Sequence, residues 1–422
     1  MKKIIVLFIL TSICSVFAEE KINVLIISLC STNYKTFRNK PGLTPNLNNF
    51  LNNSTEITNA HTHLPWANAS SVLSIHQQRI QKMGYHIFQK NYQNTPFLYY
   101  VDEDSNLAEI SKTFVNNLSN VKKPFFSLIH IRHNHRPFFL KTHEDLNKNL
   151  ALFGGSSESK KLLQNPNELS TLARFVLFPD PREYKFIPLL KNKIIPAKDY
   201  EKYNPSEMYG LVFSKNELSK WQASKNYQKE LKLIKEAYEF RLNITDKELQ
   251  GLFDTKMLNQ KLGKTLILAV GDHGEALMEH NNLLAGNNLY DEETHFFFGA
   301  NLATLPIKNT TKINAQKYST AIAEIIFETI DPKSASSFEE FKTKEEVVFT
   351  KNCKGDKVSI RQKNQWKLIY NLSDNSYELY DLKNDPNEFK NIFSFEHPKF
   401  LELNALRIKK EGEPSLPHTQ CN

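Results

Sequence analysis

The stretch Lys264–Glu275, KTLILAVGDHGE, decides the fold class. Leu266 to Val270 is an unbroken apolar run of strand length, the pattern of a strand covered on both faces of a sheet. It stops on Gly271-Asp272-His273-Gly274. In an open α/β sheet, ligands bind beyond the carboxyl ends of the strands. A carboxylate and an imidazole at such a tip, flanked by glycines, can reach one cation together. The same four residues also suit a plain turn capped by its aspartate.

Two further runs share this character: Ile22–Leu29 (INVLIISL) and Pro124–Ile131 (PFFSLIHI). Leu231–Leu252 carries apolar residues at helical spacing, and Thr44-Pro45 opens a short helix through Leu51 as N-cap and first helical residue. Buried strands separated by helical stretches predict an α/β fold with a mostly parallel sheet. Residues 153–227 are polar and poorly periodic, a long insertion without an assigned structure. From about Glu345 the pattern shifts to short runs, Val347–Lys351, Lys357–Arg361, Trp366–Tyr370 and Tyr377–Leu382. Gly355-Asp356 and Asp374-Asn375 supply turns between them. This is an antiparallel meander, with Glu396–Lys410 as a closing helix. The expected organisation is a leader over 1–18, an α/β domain over 19–340 and a C-terminal β subdomain over 341–422.

Composition narrows the class. The 422 residues are 40% hydrophobic and 24% charged, which excludes a disordered chain and a polytopic membrane protein. Lys2 and Lys3, the apolar Ile4–Leu10 and the Val16-Phe17-Ala18 cleavage pattern read as an export signal. The predicted location is the periplasm or the exterior of a bacterium, with no transmembrane segment in the mature chain. Beyond that leader lie Cys30, Cys353 and Cys421, so at least one thiol is free or pairs elsewhere. The net charge of +8 favours anionic partners, but no basic run supports nucleic acid.

The other strand ends carry chemistry too. The second ends His130-Ile131-Arg132-His133-Asn134-His135-Arg136, three imidazoles and two guanidiniums able to polarise or protonate an anionic ester. Surface histidines on a loop are the plainer reading. The first strand ends Ser28-Leu29-Cys30-Ser31, and a lone Cys30 is more often a small buried hydrophobe. His61 and His63, near Trp66, suit either a site wall or buried loop packing.

Taken together, these segments resemble the sulfatase family of the alkaline-phosphatase-like superfamily. Asn23–Ser28 is similar to its opening strand, Thr44-Pro45-Asn46-Leu47 to its TPNL and Thr58-Asn59-Ala60 to its TNA. His130 and His135 resemble its central histidines, and Ala269–Glu275 its SDHGE strand end. Leu289-Tyr290-Asp291-Glu292 resembles its LYDE, and Glu378–Glu388 its C-terminal ELYDLxxDPxE. The resemblance spans about residues 22–393. It implies a mixed sheet sandwiched by helices, a Ca²⁺ or Mg²⁺ ion, and hydrolysis of sulfate or phosphate esters of small molecules or glycans.

The departures from the family pattern alter that expectation. Cys30 and Ser31 stand where the family places metal-binding aspartates, Ala67 at the nucleophile, Ala69 at the proline, Ser71 at the arginine and Gly286 at a lysine. A methyl group cannot become a formylglycine or attack sulfur, so no formylglycine is expected. With those carboxylates gone, Asp272 and His273 hold Ca²⁺ or Mg²⁺ weakly, whereas Cys30, Asp272 and His273 suit Zn²⁺. Two functions compete. One is a metal-dependent ester hydrolase with His130 and His135 at the ester, including a shifted alignment in which Ser70 or Ser71 attacks. The other is a pseudoenzyme that keeps an anion-binding cleft, and the residues favour it.

Overall fold

The computed structural model describes residues 21–64, 76–88, 98–101, 106–140, 145–178, 213–301, 312–319, 321–330 and 340–411, apart from positions 214, 341, 342, 345 and 364. The leader, Ala67, Ala69, Ser70, Ser71 and Cys421 lie outside them.

The three apolar runs become β1 (Asn23–Leu29), β5 (Phe125–Ile131) and β6 (Thr265–Gly271), and every residue in them is buried. β1 lies between the other two, parallel to both, with Ser28 opposite His130 and Leu29 opposite Gly271. The three carboxyl ends therefore finish level at one rim of the sheet. Alternate residues feed two cores. Val24, Ile26, Leu128 and Leu268 pack beneath a helix over Ala321–Ile330. Leu25, Ile27, Ile129 and Ile267 pack beneath helices that include Leu107–Ser119 and Thr255–Leu262. This double covering is why the runs carry no polar alternation.

The sheet is mostly parallel, as the buried runs predict, and a single strand running the other way makes it mixed. With β2 (Thr55–His61), β3 (His86–Phe88), β4 (Leu98–Val101), β7 (His295–Asn301), β8 (Lys312–Ile313) and β9 (Lys317–Tyr318), its order is β3-β5-β1-β6-β7-β2-β8, with β4 on β5 and β9 on β2. β7 runs antiparallel to both β6 and β2. The segment after β6 returns directly along the sheet, without the helical crossover that a parallel neighbour requires.

Two local expectations are corrected. Thr44 makes no capping bond at the helix Pro45–Asn52. Asp246 caps it from the long helix Tyr227–Glu248, accepting from the Asn46 and Leu47 amides at 3.0 and 2.8 Å. A carboxylate at a helix N-terminus also meets the positive end of the helix dipole. Within 153–227, helices form over Ser157–Gln164, Thr171–Leu177 and Lys215–Gln222, the first two capped by Ser156 and Ser170. Their apolar faces join Leu233, Ile234 and Tyr238 in a third core.

The C-terminal meander is a separate antiparallel sheet, β10 (Val348–Lys351), β11 (Lys357–Gln362), β12 (Trp366–Asn371) and β13 (Ser376–Asp381). Gly355 and Asn375 take the positive φ its turns need. The helix Pro398–Glu411 covers it through Phe400 and Leu403.

Candidate functional site

Parallel register brings Cys30, His130, Asp272 and His273 to one point on the rim. Cys30 Sγ, Asp272 and a ring nitrogen of His130 all lie within 4.8 Å of one another and are buried. Asp272 Oδ2 is 3.8 Å from His130 Nε2 and 3.7 Å from His273 Nε2, and His273 Nε2 is 3.6 Å from Cys30 Sγ.

The backbone aims these atoms. Asp272 Oδ1 accepts the amides of Ser31 and His273 at 3.2 and 2.6 Å, which turns Oδ2 toward the histidines. His273 Nδ1 lies 2.7 Å from the Gly274 carbonyl, so that nitrogen carries the proton and Nε2 presents a lone pair. His130 Nδ1 is 3.0 Å from Ser28 Oγ, which orients its ring in the same way. Gly274 is required here, because a Cβ would sit 2.0 Å from the Glu292 carbonyl oxygen.

Electrostatics follow from burial. It pushes the Cys30 thiol well above its ordinary value, and Asp272 adds to the rise while Arg132 opposes it. It lowers His130 to about 4, against the pull of Asp272. Further along the loop Glu275 is buried with Oε1 unpartnered among the described residues. Burial raises its carboxyl well above the usual range; Ser31 opposes this, and Glu293 and Asp272 add to it.

The donor set tests which cation these residues fit. The carboxylate of Asp272, the thiol of Cys30 and an imidazole nitrogen of His130 lie within 4.8 Å of one another, and His273 Nε2 lies 3.6 Å from the thiol and 3.7 Å from the carboxylate. Ca²⁺ takes six to eight oxygens and Mg²⁺ a near-octahedral oxygen shell. Sulfur and nitrogen donors suit Zn²⁺, which binds four such ligands. The set does not fit the hard ions.

His135 is half-buried, with Nδ1 3.2 Å from the Arg136 carbonyl, and its charge acts on His130. Ala67 lies outside the described residues. Gly286 has a φ of 95° and lies next to Cys353, which is disulfide-bonded; Cys30 is free. His63 is bonded to Ser319 in a buried loop, and His61, the last residue of β2, to Asn59.

The sequence reading missed two features. Ser28 contacts His130 only because β1 and β5 pair in that register. The second is a group of His61, Asp291 and His295, also close enough to share an ion. Asp291 there already binds Arg361 at 2.8 and 2.9 Å and Lys367 at 3.0 Å. Two buried cations on the only carboxylate oppose a third.

Comparison with known proteins agrees with this architecture. The sulfatase family model matches residues 28–298, well over half of the chain. The chain belongs to the sulfatase family. Three similar solved structures extend the likeness to the whole fold. One was solved with its substrate D-glucosamine-2-N,6-O-disulfate; it has 16% identity and a TM-score of 0.62, over 94% of this chain and 99% of that one. A 2-O glycosaminoglycan sulfatase has 15% identity and a TM-score of 0.55, over 93% and 91%. The phosphonate monoester hydrolase of Agrobacterium radiobacter has 13% identity and a TM-score of 0.57, over 93% and 95%. At these identities the likeness shows the fold. No curated protein matches the chain. Sulfatases generally bind a divalent metal, and the described residues of this chain contain candidate ligands for one. Among those residues no helix is long and apolar enough to cross a membrane.

Proposed function

We propose that this chain is an exported sulfatase-family protein that binds a sulfate or phosphate ester at the strand-end site without formylglycine turnover, with Zn²⁺ held by Cys30, His130, Asp272 and His273. The observation that carries the reading is the convergence of thiol, imidazole and carboxylate where an all-oxygen cage would be needed for Ca²⁺. The ion, when bound, supplies a Lewis-acidic positive charge for an anionic oxygen. Ser28 and Gly274 orient the imidazoles, and the Ser31 and His273 amides fix Asp272. The charge of Arg132 acts on both His130 and Cys30, and in this reading it serves the ester's anionic oxygen. Ala67, aligned with the family nucleophile, offers no atom that can attack. The first 18 residues support export.

Calorimetric titration of the zinc-loaded protein with inorganic sulfate and phosphate tests this, alongside turnover of p-nitrophenyl sulfate and p-nitrophenyl phosphate. Binding of at least one anion is expected, weakened about tenfold or more in Arg132→Gln, with no turnover above buffer. Absence of binding contradicts the reading. Hydrolysis that disappears in Asp272→Ala would make the chain an active metal-dependent hydrolase with a non-standard site.

A further inference from the structure

A cleft of about 450 Å³ opens between the helix Lys215–Gln222, the loop 280–290 and strands β11, β12 and β13 of the C-terminal sheet. It shares no lining residue with the strand-end site. Its volume lies within the range of roughly 300–1,000 Å³ usual for small-molecule sites.

Carboxamides dominate the lining: Gln222, Asn281, Asn282, Asn287, Asn288 and Asn371. They hold one another in place. Gln222 Nε2 donates to Asn281 Oδ1 at 2.8 Å, and Asn287 Nδ2 to Asn282 Oδ1 at 3.2 Å. Lys357 Nζ donates to Asn288 Oδ1 at 2.6 Å, and Asn371 Oδ1 accepts from the Ser373 amide at 3.1 Å. One half of each amide is thereby fixed, and in Asn282 both halves are, since its Nδ2 donates to the Leu284 carbonyl and Glu293. The Nδ2 groups of Asn281, Asn288 and Asn371 have no acceptor among the described residues, and neither does the Gln222 Oε1 have a donor. A planar carboxamide offers a donor and an acceptor side by side, the complement of neighbouring hydroxyls on a ring.

The remaining walls fit the same class of ligand. Glu378 accepts from the Tyr290 and Tyr380 hydroxyls, each at 2.7 Å, which fixes a carboxylate as a strong acceptor at the cleft edge. The Tyr290 ring is stacked on His280, with centroids 3.7 Å apart and planes 11° apart. Lys215 and Lys357 are balanced by Asp374 and Glu378, so the lining has no net charge to select an anion. The loop also carries strain. Met278 and Leu284 have φ of 75° and 72°, and Asn281 lies at 52°. For Met and Leu this conformation is strained, so the surrounding contacts hold the loop in the shape that presents Asn281, while the buried Asn282 ties the loop to the Leu284 carbonyl and Glu293.

We infer that this cleft binds an uncharged, hydroxyl-rich sugar ring, through its carboxamides and Glu378, independently of the strand-end site. The inference goes beyond the proposed ester binding and does not depend on it. The test is a glycan array carrying unsulfated hexose and N-acetylhexosamine oligosaccharides beside their sulfated forms, probed with the full mature protein. Two variants report on the cleft. Asn281→Gly removes a carboxamide while keeping the positive φ, and Gln222→Ala removes its partner. Wild type is expected to bind unsulfated members, each variant to bind them about three- to tenfold more weakly, and Asp272→Ala to bind as wild type does. The inference is overturned if no unsulfated glycan binds, if both variants bind as wild type does, or if Asp272→Ala abolishes binding.

Discussion

Replacing Asp291 with asparagine removes the anion that joins the C-terminal sheet to the α/β body. Asp291 follows the buried Leu289 and receives Arg361 of β11 and Lys367 of β12, all three almost fully buried. Lys367 also reaches Glu388 at 2.7 Å, so two cations and two carboxylates balance in one buried cluster. Asparagine is nearly isosteric, which leaves packing intact and isolates the charge. It takes away the carboxylate charge that both Arg361 and Lys367 contact. Removing one member of a buried pair costs about 3–5 kcal/mol, against a whole-protein stability of about 5–15 kcal/mol. The unfolded fraction should therefore rise by roughly two to four orders of magnitude. Burial alone would raise the Asp291 carboxyl, but Arg361 and Lys367 outweigh it and hold it well below its ordinary value. Its contribution is thus present above about pH 4 and is lost as pH falls through the depressed value. Urea unfolding of wild type and Asp291→Asn across pH 2 to 7, followed by tryptophan fluorescence and far-ultraviolet dichroism, measures both effects. The difference should be largest near neutrality and shrink in acid. A difference below about 1 kcal/mol at pH 7, or one that grows in acid, would refute the assignment of this cluster as the weld.

Three further outcomes follow from the same structure. His280 lies 2.6 Å from Glu292 through Nδ1 and 3.1 Å from the Glu388 carbonyl through Nε2. Burial alone would lower its pKa, but Glu292 and Glu388 outweigh that and raise it. His280→Phe should then cost about 1.5–3 kcal/mol below pH 6.5, with the gap closing as pH rises through the raised value, in urea titrations at several pH values. Gly274→Ala places a Cβ 2.0 Å from a backbone oxygen. It should destabilise by at least about 3 kcal/mol, seen as a lower thermal midpoint. Ser28→Ala removes the hydroxyl 3.0 Å from His130 Nδ1. It should weaken zinc binding about 10- to 100-fold by chelator competition, with the fold unchanged by dichroism.

Much of the fold was legible because its central strands are buried on both faces and so appear as unbroken apolar runs. The meander was legible for the opposite reason, short alternating runs with turn residues between them. The antiparallel placement of β7 was not, since a strand buried on both faces looks alike in either direction. Within the site, Asp272 and His273 were visible at a glycine-flanked strand end. His130 had been assigned to the ester, and its approach to Asp272 depends on the register of β5 with β1 and of β1 with β6. Ser28 looked like one more strand residue. Asp291 and Arg361 are 70 positions apart, and the carboxamide cleft collects side chains from three separate segments. Neither leaves a local pattern in the chain.

The central claim is that a sulfatase rim has been rebuilt from an oxygen cage into a thiol-imidazole-carboxylate site. The most direct measurement is elemental analysis of the purified mature protein after dialysis against Ca²⁺, Mg²⁺ and Zn²⁺ together. Near-stoichiometric zinc is expected, lost in Asp272→Ala and in Cys30→Ser, with calcium and magnesium at background. Retained calcium or magnesium without zinc, zinc that survives both substitutions, or no bound metal would contradict it.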